Sequence, residues 1–189
     1  MGRPQLLRGR LKRLSSGVST VLCGVLGAAI FLLTPARADD SLEIAVKATY
    51  LYKFAPFVTW PSEAFDSPTS PLVICVVGRD PFGPVLDRAV AGQAVAGRRV
   101  AVRRLGMVRG RDGCHIVYVG TGGQSAAQAL QAVRGQPVLT VTDNSSARGV
   151  FDFVIVDNRV RFRIDERPAV AGGLQISSKL LSLAVGVSR

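Results

Sequence analysis

Residues that usually carry chemistry are scarce in this chain: 189 residues hold one His, one Trp and three Cys. No Cys-x-x-Cys or His-x-x-x-His spacing occurs, so a tetrahedral metal set has no ligands to draw on. Gly-x-Ser-x-Gly is missing, which removes the nucleophile elbow of the α/β-hydrolases. So are Gly-x-Gly-x-x-Gly and a terminal Gly-Lys-Ser/Thr, the loops that cradle nucleotide phosphates. The lone histidine, His115, follows Cys114 inside an apparent strand. Strand neighbours point to opposite faces, so these two do not form a nucleophile and base pair. No catalytic residue, metal or cofactor is expected, and the chain reads as a binding or regulatory module rather than an enzyme.

Acids are absent from the first 38 residues, where Arg3, Arg8, Arg10, Lys12 and Arg13 precede an apolar run from Val18 to Leu33. Pro35 and the triplet Ala36-Arg37-Ala38 follow, with small side chains at its first and third positions. This three-part order predicts a cleaved export signal over 1–38 and a mature domain over 39–189. The apolar run is shorter than a bilayer requires and holds Ser19, Thr20, Gly24 and Gly27, so no membrane span is expected after cleavage. Bulky Leu22 before Cys23 argues against lipid attachment. The expected compartment is the periplasm.

That reading changes the charge. The chain carries 24 basic and 13 acidic residues, a net +11, but six of the basic residues lie before residue 39. The remaining 18 against 13 leave +5, an ordinary excess, and nucleic-acid binding is not expected. A basic stretch at Arg98, Arg99, Arg103, Arg104, Arg109 and Arg111 is read as a solvated strand face and loop. Cys75 and Cys114 survive cleavage, and an even pair in an oxidising compartment is a candidate disulfide, with two free buried thiols as the competing reading.

Periodicity predicts a helix over 40–59, opened by Asp40 and Glu43, whose apolar stripe includes Tyr50, Phe54 and Phe57. The aromatics are expected in the core. Leu72 to Val77 is an unbroken apolar run and predicts a buried central strand. A turn over Gly78–Gly83 leads into a short helix from Pro84 to Ala91. Strands are predicted over Arg98–Arg104, Cys114–Val119 and Val138–Val141, with a helix over Ser125–Val133. Val150–Val156 and Val160–Ile164 flank Asp157-Asn158-Arg159 as a hairpin. Residues 168–185 are helical in pattern, interrupted by Gly172-Gly173. The expected fold is therefore an α/β layered single domain, its mostly parallel central sheet extended by a C-terminal antiparallel hairpin, with helices on the faces.

Several of these segments together resemble the YfiR family of small exported proteins. They are Val46 to Phe54 leading to Phe57-Val58-Thr59-Trp60-Pro61; Cys75 to Gly83; Cys114 to Val119; Leu139 to Asp143; Val160 to Ile164; and Leu174 to Leu181. The resemblance implies a periplasmic, dimerising repressor that binds the periplasmic sensor region of an inner-membrane diguanylate cyclase and lowers cyclic-di-GMP output and biofilm formation. It implies redox control through Cys75 and Cys114. The last hairpin strand is expected to be the partner surface, with Arg161, Arg163, Asp165 and Glu166 as contact residues. Two departures stand out: residues 144–164 hold no cysteine for the second bridge of some members, and Arg163 replaces an acid. The alternative function is a periplasmic small-ligand sensing or carrier domain with its pocket at the strand ends near Gly78 to Gly83.

Overall fold

The apolar run Leu72–Val77 determines the layout. All six residues are buried, so this strand has no wet face and needs a packed layer on each side. The computed structural model describes residues 36–110 and 112–189; the export segment expected at 1–38 lies outside them apart from its last three residues. Strand β1 (Val58–Thr59) precedes β2 (Leu72–Val77), which pairs in parallel with β4 (Arg98–Leu105) on one side and β5 (Ile116–Val119) on the other. Strands β6 (Leu139–Asp143) and β7 (Phe151–Val156) continue in parallel, and β8 (Arg159–Asp165) returns antiparallel to β7. Short β3 (Ala94–Val95) and β10 (Val187–Ser188) flank the sheet. Among the described residues the order is β10-β8-β7-β6-β5-β2-β4-β3. The five parallel strands are thus wound outward from β2, first one way and then the other, as in doubly wound folds. This is the predicted α/β architecture, with its strand order resolved.

Helices α1 (Ala36–Lys53) and α2 (Pro84–Val90) pack on one face of this sheet. Leu51, Phe54, Leu86 and Val90 pack there with Ile74, Val76, Ile116, Phe151 and Phe153. The predicted aromatic stripe is core: the Phe54 ring lies 4.3 Å from Phe151 and 5.0 Å from Phe162. Helix α3 (Ala126–Ala132) packs on the other face, where Ala129 joins Val73, Cys75, Val77 and Val117. Ser125 and Gln128 close a reciprocal capping box at its start.

Several boundaries differ from the sequence reading. Helix α1 stops at Lys53 rather than 59, because Pro56 sits in a 3-10 turn (Ala55–Phe57) and the chain leaves as β1. Asp40 lies inside α1 and does not cap it; Glu43 instead pairs with Lys47 one turn on, at 2.5 Å. Strand β5 starts at Ile116, leaving Cys114 and His115 on its approach. The C-terminal segment is not one interrupted helix but α4 (Glu166–Ala171), β9 (Gln175–Ile176) and α5 (Ser178–Leu181), followed by β10. Strand β9 pairs antiparallel with β1, a partnership of two-residue strands more than 100 positions apart.

The link from β6 to β7 is unusual. Parallel neighbours normally need a crossover of a dozen or more residues, yet residues 144–150 suffice here. Strand β7 starts beside Val141, so the chain retraces only two residues. Gly149 passes so close to β6 that a Cβ on it would lie 2.8 Å from the Thr140 carbonyl oxygen. Buried threonines take up the backbone donors: Thr142 Oγ1 accepts from Gly149 N–H at 3.1 Å and Thr140 Oγ1 from Val150 N–H at 2.9 Å. Thr142 then donates to buried Asp152 at 2.7 Å. Residues 144–150 hold no helix, so this link adds none to the α3 side of β7 and β8.

Candidate functional site

Cys75 and Cys114 are joined by a disulfide, with Cα atoms 5.7 Å apart across 39 residues of sequence. Strand β2 supplies Cys75, and the approach to β5 supplies Cys114. Both are buried, Cys75 completely, in the apolar layer beneath α3. With its sulfur bonded, Cys114 offers no thiolate, so the geometry does not support nucleophilic chemistry there. The bridge ties the central strand to the loop before its neighbour.

His115 is a structural residue. Its ring Nδ1 accepts from Val73 N–H at 3.1 Å, while its backbone N–H donates to Val73 C=O at 2.9 Å. This fixes the neutral ring with its proton on Nε2, which lies 3.1 Å from the Ala64 carbonyl. Phe65 stacks on the ring at 4.2 Å, and the Arg98 guanidinium lies over Phe65 at 3.7 Å. Burial pulls the imidazole pKa below its ordinary value, the Ala64 carbonyl opposes this, and nearby Arg98 adds to it.

The arginine stretch in β4 is largely engaged within the fold. Arg98 donates to the Ser67 and Ser70 carbonyls, and Arg104 pairs with Asp80 at 2.6 Å and Asp87 at 2.7 Å. Sequence reasoning missed Lys47. It is buried between Glu43 and Asp143, at 2.5 and 2.7 Å, and Asp143 also accepts from Tyr118 Oη at 3.2 Å. Burial alone would lower the Lys47 pKa, but the Asp143 and Glu43 bonds outweigh it and hold the ammonium above its usual range. Burial beside Asp143 pushes the Tyr118 phenol up. The signal for this cluster was a lysine four residues after a glutamate inside an otherwise apolar helix face.

The strand ends at Gly78, where the alternative carrier reading expects a pocket, are closely packed. They lie at the switch point between β2 and β5, where doubly wound folds bind ligands. Here the turn after β5 fills the space: Arg79 N–H bonds to the Thr121 carbonyl at 2.8 Å, and a Cβ on Gly78 would lie 2.5 Å from the Gly122 oxygen. The two glycine turns interlock in backbone contact.

The hairpin end presents an open, charged surface. Val160, Phe162 and Ile164 of β8 are buried on the α1 side, which turns Arg159, Arg161 and Arg163 to the opposite face. Asp157 and Asn158, both at positive φ, form the two-residue turn before them. Asp165 caps α4 through the Arg167 N–H and pairs with the Arg167 side chain at 2.6 Å. Those bonds hold its carboxyl below the usual range, against the opposing effect of burial. Glu166 pairs with Arg189 at 3.0 Å. A polar cleft of about 470 Å³ runs between Arg148, Asp152, Arg163 and Arg167. Of the four expected contact residues, then, two acids are held in internal ion pairs and two arginines face outward.

The family described as YfiR/HmsC-like matches residues 44–185. The chain belongs to the YfiR/HmsC-like family. The match runs from α1 to the approach of β10 and includes both cysteines, the interlocked glycine turns and all of β8. This family is regulatory rather than catalytic, in keeping with a bonded Cys114 and a histidine committed to the backbone. No curated protein shows significant similarity to the chain. Among the described residues, no helix is long and apolar enough to cross a membrane.

Proposed function

We propose that the protein is exported to the periplasm by cleavage of residues 1–38 and restrains an inner-membrane diguanylate cyclase there by binding its periplasmic sensor region. Cyclic-di-GMP output and biofilm formation fall while it is bound. The family match over residues 44–185 carries this reading. The mechanism is a population shift: the regulator binds one state of the cyclase more tightly than the other, and release restores signalling. Arg161 and Arg163 on β8, with Asp165 and Glu166 at its end, form the contact surface. The protein acts as a homodimer, and the Cys75–Cys114 bridge makes its fold responsive to redox conditions.

The test is deletion of the gene followed by measurement of cyclic-di-GMP, together with recovery of membrane partners on the tagged protein. Deletion is expected to raise cyclic-di-GMP, and a cyclase is expected among the recovered proteins. Unaltered cyclic-di-GMP with no cyclase recovered would sink the proposal.

A further inference from the structure

We infer that the outward face of β8 binds an extended acidic segment of a protein partner, with carboxylates at alternate positions meeting Arg159, Arg161 and Arg163. The inference deepens the regulator reading and rests on it for the partner being a protein.

Three observations carry it. First, none of these three arginines has an ion-pair or hydrogen-bond partner among the described residues, whereas Arg98, Arg104, Arg167 and Arg189 all do. The nearby acids are committed: Asp152 to Thr142 at 2.7 Å with Arg148 at 3.9 Å, Asp165 to Arg167, and Glu166 to Arg189. The face therefore keeps an uncompensated positive row. Second, the row is linear. Same-face residues of a strand repeat at roughly 6.8 Å, the repeat at which an extended peptide displays every second side chain. Part-exposed Asp165 and Glu166 lie at the end of the row, so a phosphate-dense lipid surface would meet carboxylates there, whereas a single strand need not.

Third, the sequence excludes the chain itself as the ligand. Its 13 acids include no two at positions i and i+2, so neither its own segments nor a second copy displays the matching pattern. Two copies docked face to face here would set one arginine row against the other.

The probe is a labelled peptide of alternating threonine and glutamate, titrated with the full chain and followed by fluorescence anisotropy. A peptide of the same composition with its glutamates in one block is the comparison. The alternating peptide is expected to bind more tightly than the blocked one, and more weakly as salt rises. Arg161→Gln with Arg163→Gln is expected to weaken it about tenfold, as two modest ion pairs would. Glutamine keeps part of the aliphatic stem at Arg161, the cross-strand partner of Val154, and matching melting curves establish that this variant is folded. Arg99→Gln with Arg134→Gln is expected to leave binding unchanged.

Equal binding of the blocked peptide, unchanged binding by the Arg161/Arg163 variant, or capture by phosphatidylglycerol vesicles but not by peptide would each overturn the inference. Cyclic-di-GMP measurements separate it from the broader reading. If deletion raises cyclic-di-GMP but the glutamine variant still represses fully, the acidic-segment inference fails and the regulator survives. If deletion changes nothing while the alternating peptide still binds selectively, the regulator reading fails and the surface stands.

Discussion

A Cβ on Gly120 would lie 2.1 Å from the carbonyl oxygen of Arg79, so the turns that leave β2 and β5 are in backbone contact with no room for a side chain. Gly120 N–H also bonds to the Val77 carbonyl at 2.8 Å. The contact lies where a doubly wound sheet ordinarily opens to ligands, and joins the two strands bridged by the disulfide region at their other ends.

Gly120→Ala is therefore expected to destabilise the fold by about 3 kcal/mol, since the methyl group meets backbone that cannot rotate away. Gly97→Ala is the control. Gly97 has positive φ but open space around its Cβ position, and should cost only about 1 kcal/mol of backbone strain. Equilibrium urea unfolding of both variants checks the difference; equal losses would mean that the turns yield.

Stability should fall as the pH drops below about 6.5, the ordinary value for histidine. Folding holds the His115 ring neutral, so below that pH the unfolded chain takes up a proton that the native state refuses. The loss grows until the native ring itself protonates, and above pH 6.5 the contribution to the slope disappears. His115→Phe retains an aromatic ring against Phe65 and removes this titration. It leaves Val73 N–H without its acceptor, which costs about 1–3 kcal/mol at neutral pH. Its stability should be flatter between pH 5 and 6.5 than that of the unsubstituted protein, measured by urea midpoints across the range.

Replacing both cysteines, Cys75→Ala with Cys114→Ala, is expected to cost on the order of 4 kcal/mol, the chain entropy of a loop of this length. The fully buried Cys75 implies that a reductant reaches the bridge only after local opening. Thiol labelling at rising urea, with reductant present, should therefore show reduction tracking unfolding. Rapid reduction of the folded protein without urea would contradict the burial argument.

Elements with strong local signals were legible in the residues themselves. The unbroken apolar run marks β2 at its observed limits, and Pro84 places the start of α2. Asp157-Asn158 supplies the positive-φ pair that a tight hairpin requires. What was not legible depends on contacts distant in sequence. The two-residue strands β1 and β9 have no periodicity of their own, and each exists because the other lies beside it. The parallel β6–β7 join depends on Gly149 fitting against Thr140, a contact that no local pattern announces. The same holds at the charged surface. The family resemblance pointed to β8, but only the fold separates its outward arginines from Asp165 and Glu166, which are taken up by Arg167 and Arg189.

The seven-residue link between β6 and β7 has a consequence for how the molecule is layered. From β4 to β5 the sheet is a sandwich filling, with helices above and below it. At β7 and β8 the β6–β7 link contributes no helix to the second slice: two threonine hydroxyls and a glycine hold the join, and Val154 and Asp152 are buried beside their cross-strand partners Arg161 and Arg163. An acidic strand seated on the arginine row would stand where the sheet elsewhere carries a helix, so that another molecule would supply the outer layer there.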